Sequence, residues 1–266
     1  MKTKTLSIQI AALLVGVLVA TACGTRSSKK ARLSTGQPVE ATVQYPIPTA
    51  YEVVNLINRT GAAYIIEITN PTGKVETYLT ESEKALNLGV YSADLAYVTT
   101  YNLKQETMDY LKALKTLTDE LYVSANFNVD LAREVERNIE NKDSLISIIT
   151  RSFNNTYSFL VNNGKDNISI QVLTGMWVEG LYIATYTTTT SSNPDDLLQI
   201  IANQKQSLGT LTDIISKNVD APEVAALMTL LEPIIGEYSE VEKTVTLPKA
   251  QTIHSVIEKI RNEIIK

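Results

Sequence analysis

Two acidic residues of this chain, Asp94 and Glu179, stand alone in long uncharged surroundings. Asp94 is the single charge between Lys84 and Lys104, and Glu179 the single charge between Asp166 and Asp195. Helices with so little charge belong in the centre of a bundle, where a carboxylate needs hydrogen-bond partners or a counter-ion. Tyrosines are spaced to supply them. At 100° per residue Asn87, Tyr91, Asp94, Val98 and Tyr101 fall within about 40° of one line, with Tyr97 near its edge. Glu179, Tyr182 and Tyr186 repeat the i, i+3, i+7 spacing, and Trp177 lies in the preceding turn. One reading makes each acid a satisfied core group, bonded to a tyrosine or to a helix end. The other makes Asp94, Tyr91, Tyr97, Tyr101, Trp177, Glu179, Tyr182 and Tyr186 the lining of a pocket for a polar or cationic ligand. Paired carboxylates also suggest a hydrolase, which requires Asp94 and Glu179 to flank an open cleft.

Other chemistry finds little support. The one histidine, His254, cannot build a His-rich zinc site or a di-iron site with two Glu-x-x-His pairs, so no metal is expected. Its neighbours Ile253, Val256, Ile257 and Ile260 place it at the edge of a core. No Gly-x-Ser-x-Gly stretch presents a nucleophile, and no Gly-rich phosphate loop is present, so no cofactor is expected either. Without a recognisable catalytic set, no catalytic residue is assigned. A binding or interaction module is favoured over an enzyme, with a purely structural envelope scaffold as the third reading.

The elements that must position these residues are helical throughout, and no sustained period-two alternation occurs. Thr49 to Glu52 and Thr80 to Glu83 have capping-box spacing. Asn128-Val129-Asp130, Asn193 to Asp196 and Ala221-Pro222-Glu223 are further helix starts. Helices are predicted near 49–58, 61–69, 81–101, 103–122, 129–140, 143–162, 168–188, 194–217, 221–238 and 248–265. The β-branched run from Thr187 to Ser192 reads as a frayed loop. The chain also resembles itself. Asp94 to Tyr101 aligns with Glu179 to Tyr186 at an offset of 85, Thr116 to Asp119 recurs as Thr210 to Asp213, and Asn128 to Asp130 as Asn218 to Asp220. The expected fold is therefore an all-α bundle of about ten helices. It would comprise two tandem four-helix units, near 80–163 and 167–265, related by a pseudo-twofold axis. Gly89, Ser92, Ala93, Ala96 and Thr100 form a small-residue face suited to a close helix neighbour.

The N-terminus carries a different signal. Lys2 and Lys4 precede an apolar run from Ile8 to Ala20, followed by Thr21, Ala22 and the only cysteine, Cys23. This stretch resembles a bacterial lipoprotein precursor, which implies removal of residues 1–22 and lipidation of Cys23, for example with palmitate. Gly24 is not the acidic residue associated with inner-membrane retention, so the resemblance implies a Gram-negative outer membrane. Loss of Lys2 and Lys4 moves the net charge from −5 to −7, which makes nucleic acid an improbable partner. Residues 23–48 form an anchor and tether, with Arg26, Lys29, Lys30 and Arg32 close to the membrane, leaving 49–266 as a single domain. The segment from Ala85 to Tyr97 resembles part of uncharacterised all-helical lipoproteins of Gram-negative bacteria, with similarity extending over about Tyr51 to Leu121. That resemblance implies export and an all-helical fold but no activity. The expected partners are the membrane, through Cys23, and an envelope protein or a small polar ligand.

Overall fold

The computed structural model describes residues 46–48, 50–123, 129–191 and 194–266. The predicted signal peptide, Cys23 and most of the tether lie outside the described residues, as do the cap positions Thr49, Asn128 and Asn193. The described residues are all-α: α1 Ala50–Arg59, α2 Glu81–Thr100, α3 Lys104–Glu120, α4 Val129–Arg137, α5 Lys142–Asn162, α6 Asp166–Thr190, α7 Asp195–Ser216, α8 Pro222–Ser239 and α9 Leu247–Ile264. None of these helices is long and apolar enough to cross a membrane.

Local chemistry sets the starts. At α2 the Glu83 N–H donates to Thr80 Oγ1 (3.1 Å) while Glu83 Oε2 accepts from the Thr80 N–H (2.9 Å), the reciprocal arrangement of a capping box. Pro222 occupies the first turn of α8, where its missing N–H costs nothing.

Two sequence expectations are corrected. Residues 61–69 are not an α-helix. Gly61, at φ +79°, ends α1 in the left-handed region, and the chain then runs irregularly, with short 3-10 turns at Ile66–Ile68 and Thr72–Thr77. We call residues 62–79 the strap. The threonine run after Tyr186 does not fray, since α6 continues through Thr190. The Thr187 and Thr188 hydroxyls donate to the Ile183 and Ala184 carbonyls four residues back (2.7 and 2.8 Å), and both residues are buried.

The uncharged helices α2 and α6 form the centre. They lie parallel, with Ser82 bonded to Gln171 near their N-terminal ends, while α3 runs antiparallel to α2 and α9 antiparallel to α6. Lys84 meets Glu120 (3.0 Å) and Thr99 meets Thr107 (3.3 Å) across the first of these pairs. The small-residue face of α2 brings the backbones together. A Cβ on Gly89 would sit 2.2 Å from the Val172 carbonyl oxygen, and one on Gly175 would sit 1.9 Å from that of Leu86. Neither position tolerates a side chain unless the helices separate. Gly89→Ala should therefore destabilise the fold by roughly 3 kcal/mol, at the upper end of overpacking penalties. Gly209→Ala, in α7 with nothing within 4 Å of the added Cβ, should stabilise it by about 0.5–1 kcal/mol. Urea denaturation of the two variants measures both signs.

Candidate functional site

The strap carries main-chain polar groups into a helical core without a ladder of its own, and each such group must find a partner. Side chains of three helices provide them. Tyr101 donates to the Ala62 carbonyl (2.8 Å), and Tyr97 accepts from the Ile65 N–H (2.9 Å). Asp94 Oδ2 accepts from the Asn70 N–H (3.0 Å), and Tyr91 donates to the Pro71 carbonyl (2.9 Å). As α2 numbers fall from 101 to 91 the strap numbers rise from 62 to 71, so the strap lies antiparallel along the predicted α2 stripe. From α3, Tyr110 donates to the Asn70 carbonyl (2.8 Å), and from α9, Arg261 Nη2 donates to the Ile68 carbonyl (3.1 Å). The Asn70 side chain donates to Tyr78 Oη (2.9 Å), tying the far end of the strap back to its middle. Asn87, the last member of the stripe, donates to the Ile264 carbonyl at the end of α9 (2.9 Å).

Asp94 and Glu179 meet beneath this strap. Both side chains are fully buried, and they are within hydrogen-bonding reach of each other across the parallel helices. Arg261 neutralises one of them: Nε donates to Glu179 Oε2 at 2.6 Å and Nη2 to Oε1 at 2.9 Å, a bidentate pair. The guanidinium carbon also lies 4.2 Å from the centroid of the Tyr182 ring. Burial works against the Arg261 charge, but Glu179, and then Asp94, outweigh it and raise its pKa.

Asp94 has no such counter-ion of its own. Its Oδ1 is buried and faces no donor. Burial, and next the Glu179 charge, hold its carboxyl well above the usual carboxylate range, against the pull of Arg261 and the Asn70 N–H. A proton on Asp94 shared with Glu179 satisfies the geometry and leaves the three-residue group electrically neutral. Burial likewise pushes up the Tyr91, Tyr97 and Tyr110 phenols, which keeps their hydroxyls protonated.

The sequence reading of this site is corrected in its partners. The tyrosine hydroxyls do not hold the acids; they hold the strap. Trp177 is turned away from the acids, with its ring 6.5 Å from that of Tyr238, because two residues along a helix amount to a rotation of 200°. Tyr182 and Tyr186 gather instead around His254, with ring centroids 5.6 Å away in each case, and Thr185 Oγ1 lies 3.2 Å from His254 Nδ1. Burial pulls the half-buried imidazole below its usual pKa against the opposing charge of Glu258, as suits an edge-of-core position.

Arg261 was missed because its helix also carries Glu258, Lys259 and Glu263. A signal for it exists: it falls four residues after Ile257 and three before Ile264, on the buried stripe of α9. Among the described residues no group of three or more His, Cys, Asp or Glu side chains is placed to hold a metal ion. Cleavage of a glycosidic bond needs its carboxyls beside an open cleft, whereas neither Asp94 nor Glu179 reaches the surface. Comparison with protein-family models gives no match, and neither known proteins nor solved structures show significant similarity to this chain.

The pair should respond asymmetrically to substitution. Asn at position 94 can accept from the Asn70 N–H and donate to Glu179 without carrying a titratable proton. A carboxyl whose folded pKa is raised contributes stability that is present below its unfolded value and lost as pH rises through its folded value, by at most about 1.4 kcal/mol per pH unit. Asp94→Asn should therefore gain on the wild type steadily between pH 5 and pH 8 in thermal melts. Glu179→Gln breaks the bidentate pair but leaves Asp94 able to ionise beside Arg261, so it should cost about 1–3 kcal/mol, less than an uncompensated buried charge.

Proposed function

We propose that this chain is a lipid-anchored envelope protein whose helical body is a non-catalytic binding or interaction module. The observation that carries this reading is the closed Asp94–Glu179–Arg261 group beneath the strap: the residues with the most catalytic promise are built into the core. The export signal and Cys23 support the anchoring and the outer-membrane location. The basic tether supports a body held near the membrane without being docked on it. We further infer that the body is two tandem four-helix units. The meeting of Asp94 with Glu179 across parallel α2 and α6, at corresponding places in the internal repeat, supports that reading.

The binding face in this proposal is the groove between the N-terminal part of α2 and helices α8 and α9. Its volume is about 870 Å³, with Leu86, Leu230, Val256 and Ile260 on its floor and Glu223, Lys259 and Glu263 on its rim. An apolar helical segment of another envelope protein, flanked by basic residues to meet the two glutamates, fits that lining.

Two measurements test the proposal. Metabolic labelling with an alkyne analogue of palmitate should mark the wild type, while Cys23→Ser should lose the label and leave the membrane fraction. Capture from detergent-solubilised envelopes should recover a partner that Asp94→Asn retains and Leu230→Glu loses, with the Leu230→Glu melt close to wild type. A partner indifferent to Leu230→Glu would remove the groove from the account, and an unlabelled wild type would remove the anchor.

A further inference from the structure

The layer over the acid pair is the part of the fold least able to resist a change in its charge. The strap has no α-helix of its own, its outward side chains Ile66 and Leu79 are 72% and 78% exposed, and it begins at Gly61 in a left-handed turn. It is attached to the core by the buried side chains of Ile68 and Tyr78 and by hydrogen bonds between helix side chains and its main chain, two of them with the acid–arginine group: the Asn70 N–H donates to Asp94, and Arg261 donates to the Ile68 carbonyl. By contrast, α2 and α6 are locked by the backbone contact at Gly89 and Gly175. We propose that the strap is a proton-held latch: the proton shared by Asp94 and Glu179 keeps it seated, and loss of that proton lifts it while the helices stay in place.

The electrostatics follow from the groups that face Asp94. Glu179 approaches from α6 and Arg261 from α9. The phenols of Tyr91 and Tyr97 on α2, Tyr110 on α3 and Tyr64 and Tyr78 on the strap surround the rest. Only Arg261 is cationic, and it is already engaged by Glu179. A second carboxylate charge in this fully buried setting has no counter-ion of its own, and such a charge is expensive to bury. The phenols stay neutral, so they offer hydrogen bonds but no compensating charge. Hydration of Asp94 requires the smallest displacement if the strap swings out from Gly61, because that exposes Ile68 and Tyr78 of the strap but leaves the hydrogen bonds within α2, α6 and α9 intact. Local opening of this kind is drawn from the least stable part of a fold.

Site-resolved amide exchange on the intact chain reads the latch directly. After correction for the intrinsic pH dependence of exchange, protection of the Ile65 and Asn70 amides should fall at least tenfold between pH 6 and pH 9. Protection of Leu95 and Val98 within α2 should stay constant over the same range, and in Asp94→Asn the strap amides should show no fall. A flat wild-type profile would overturn the latch, as would an equal loss over strap and α2, or the same fall in Asp94→Asn. If that variant does not fold, the contrast between strap and α2 amides in the wild type decides the matter alone.

Discussion

Main-chain groups of an irregular segment, buried where no neighbouring strand or helical turn can pair with them, are the constraint around which this core is arranged. Three residues of α2 and its C-cap Tyr101, one of α3 and one of α9 each answer one such group of the strap. An orphaned amide or carbonyl in such a place costs about 1–3 kcal/mol. This explains why a chain with few aromatic residues of other kinds keeps tyrosines in one of its two central helices. A phenylalanine would fill the space and leave the strap unsatisfied.

Electrostatics and packing are joined at the same place. Asp94 serves the strap, and it sits on α2 close to the glycine that allows α6 to approach. That approach brings Glu179 against it, and Glu179 in turn makes room for a buried arginine. Each member would be costly alone. Together they form a group in which one arginine, one carboxylate and one protonated carboxyl balance, and whose remaining hydrogen bonds reach Asn70 and Ile68. The arginine also fastens α9, which arrives late in the chain, onto helices formed much earlier.

Much of this is legible in the sequence. The capping box at Thr80 and the early proline at position 222 marked the starts of α2 and α8. The isolation of Asp94 and Glu179 among uncharged residues identified the two central helices, and the small residues around Gly89 marked the contact face. What escaped was set by distant partners. Residues 61–69 carry apolar residues at helical spacing, yet Tyr97, Tyr101 and Arg261 offer the backbone there a better arrangement than its own helix would. The threonines after Tyr186 resemble loop residues by type, but their hydroxyls return to the preceding turn and the burial of Thr187 and Thr188 holds the helix. Arg261 was hidden among surface charges of α9, and only its register with Ile257 and Ile264 marked it as inward.

Recognition through the main chain alone also bears on how freely this molecule can diverge. At Ala62, Ile65 and Pro71 the helices grip atoms that every residue type possesses, so side chains there can drift without loosening the grip. The exception is proline at position 65 or 70, which would delete the N–H that Tyr97 or Asp94 receives. The tyrosines have no such latitude. Across descendants of this chain, variation should collect at Ala62, Ile65 and Pro71, while the buried Ile68, Asn70 and Tyr78 and the helix beneath stay nearly unchanged.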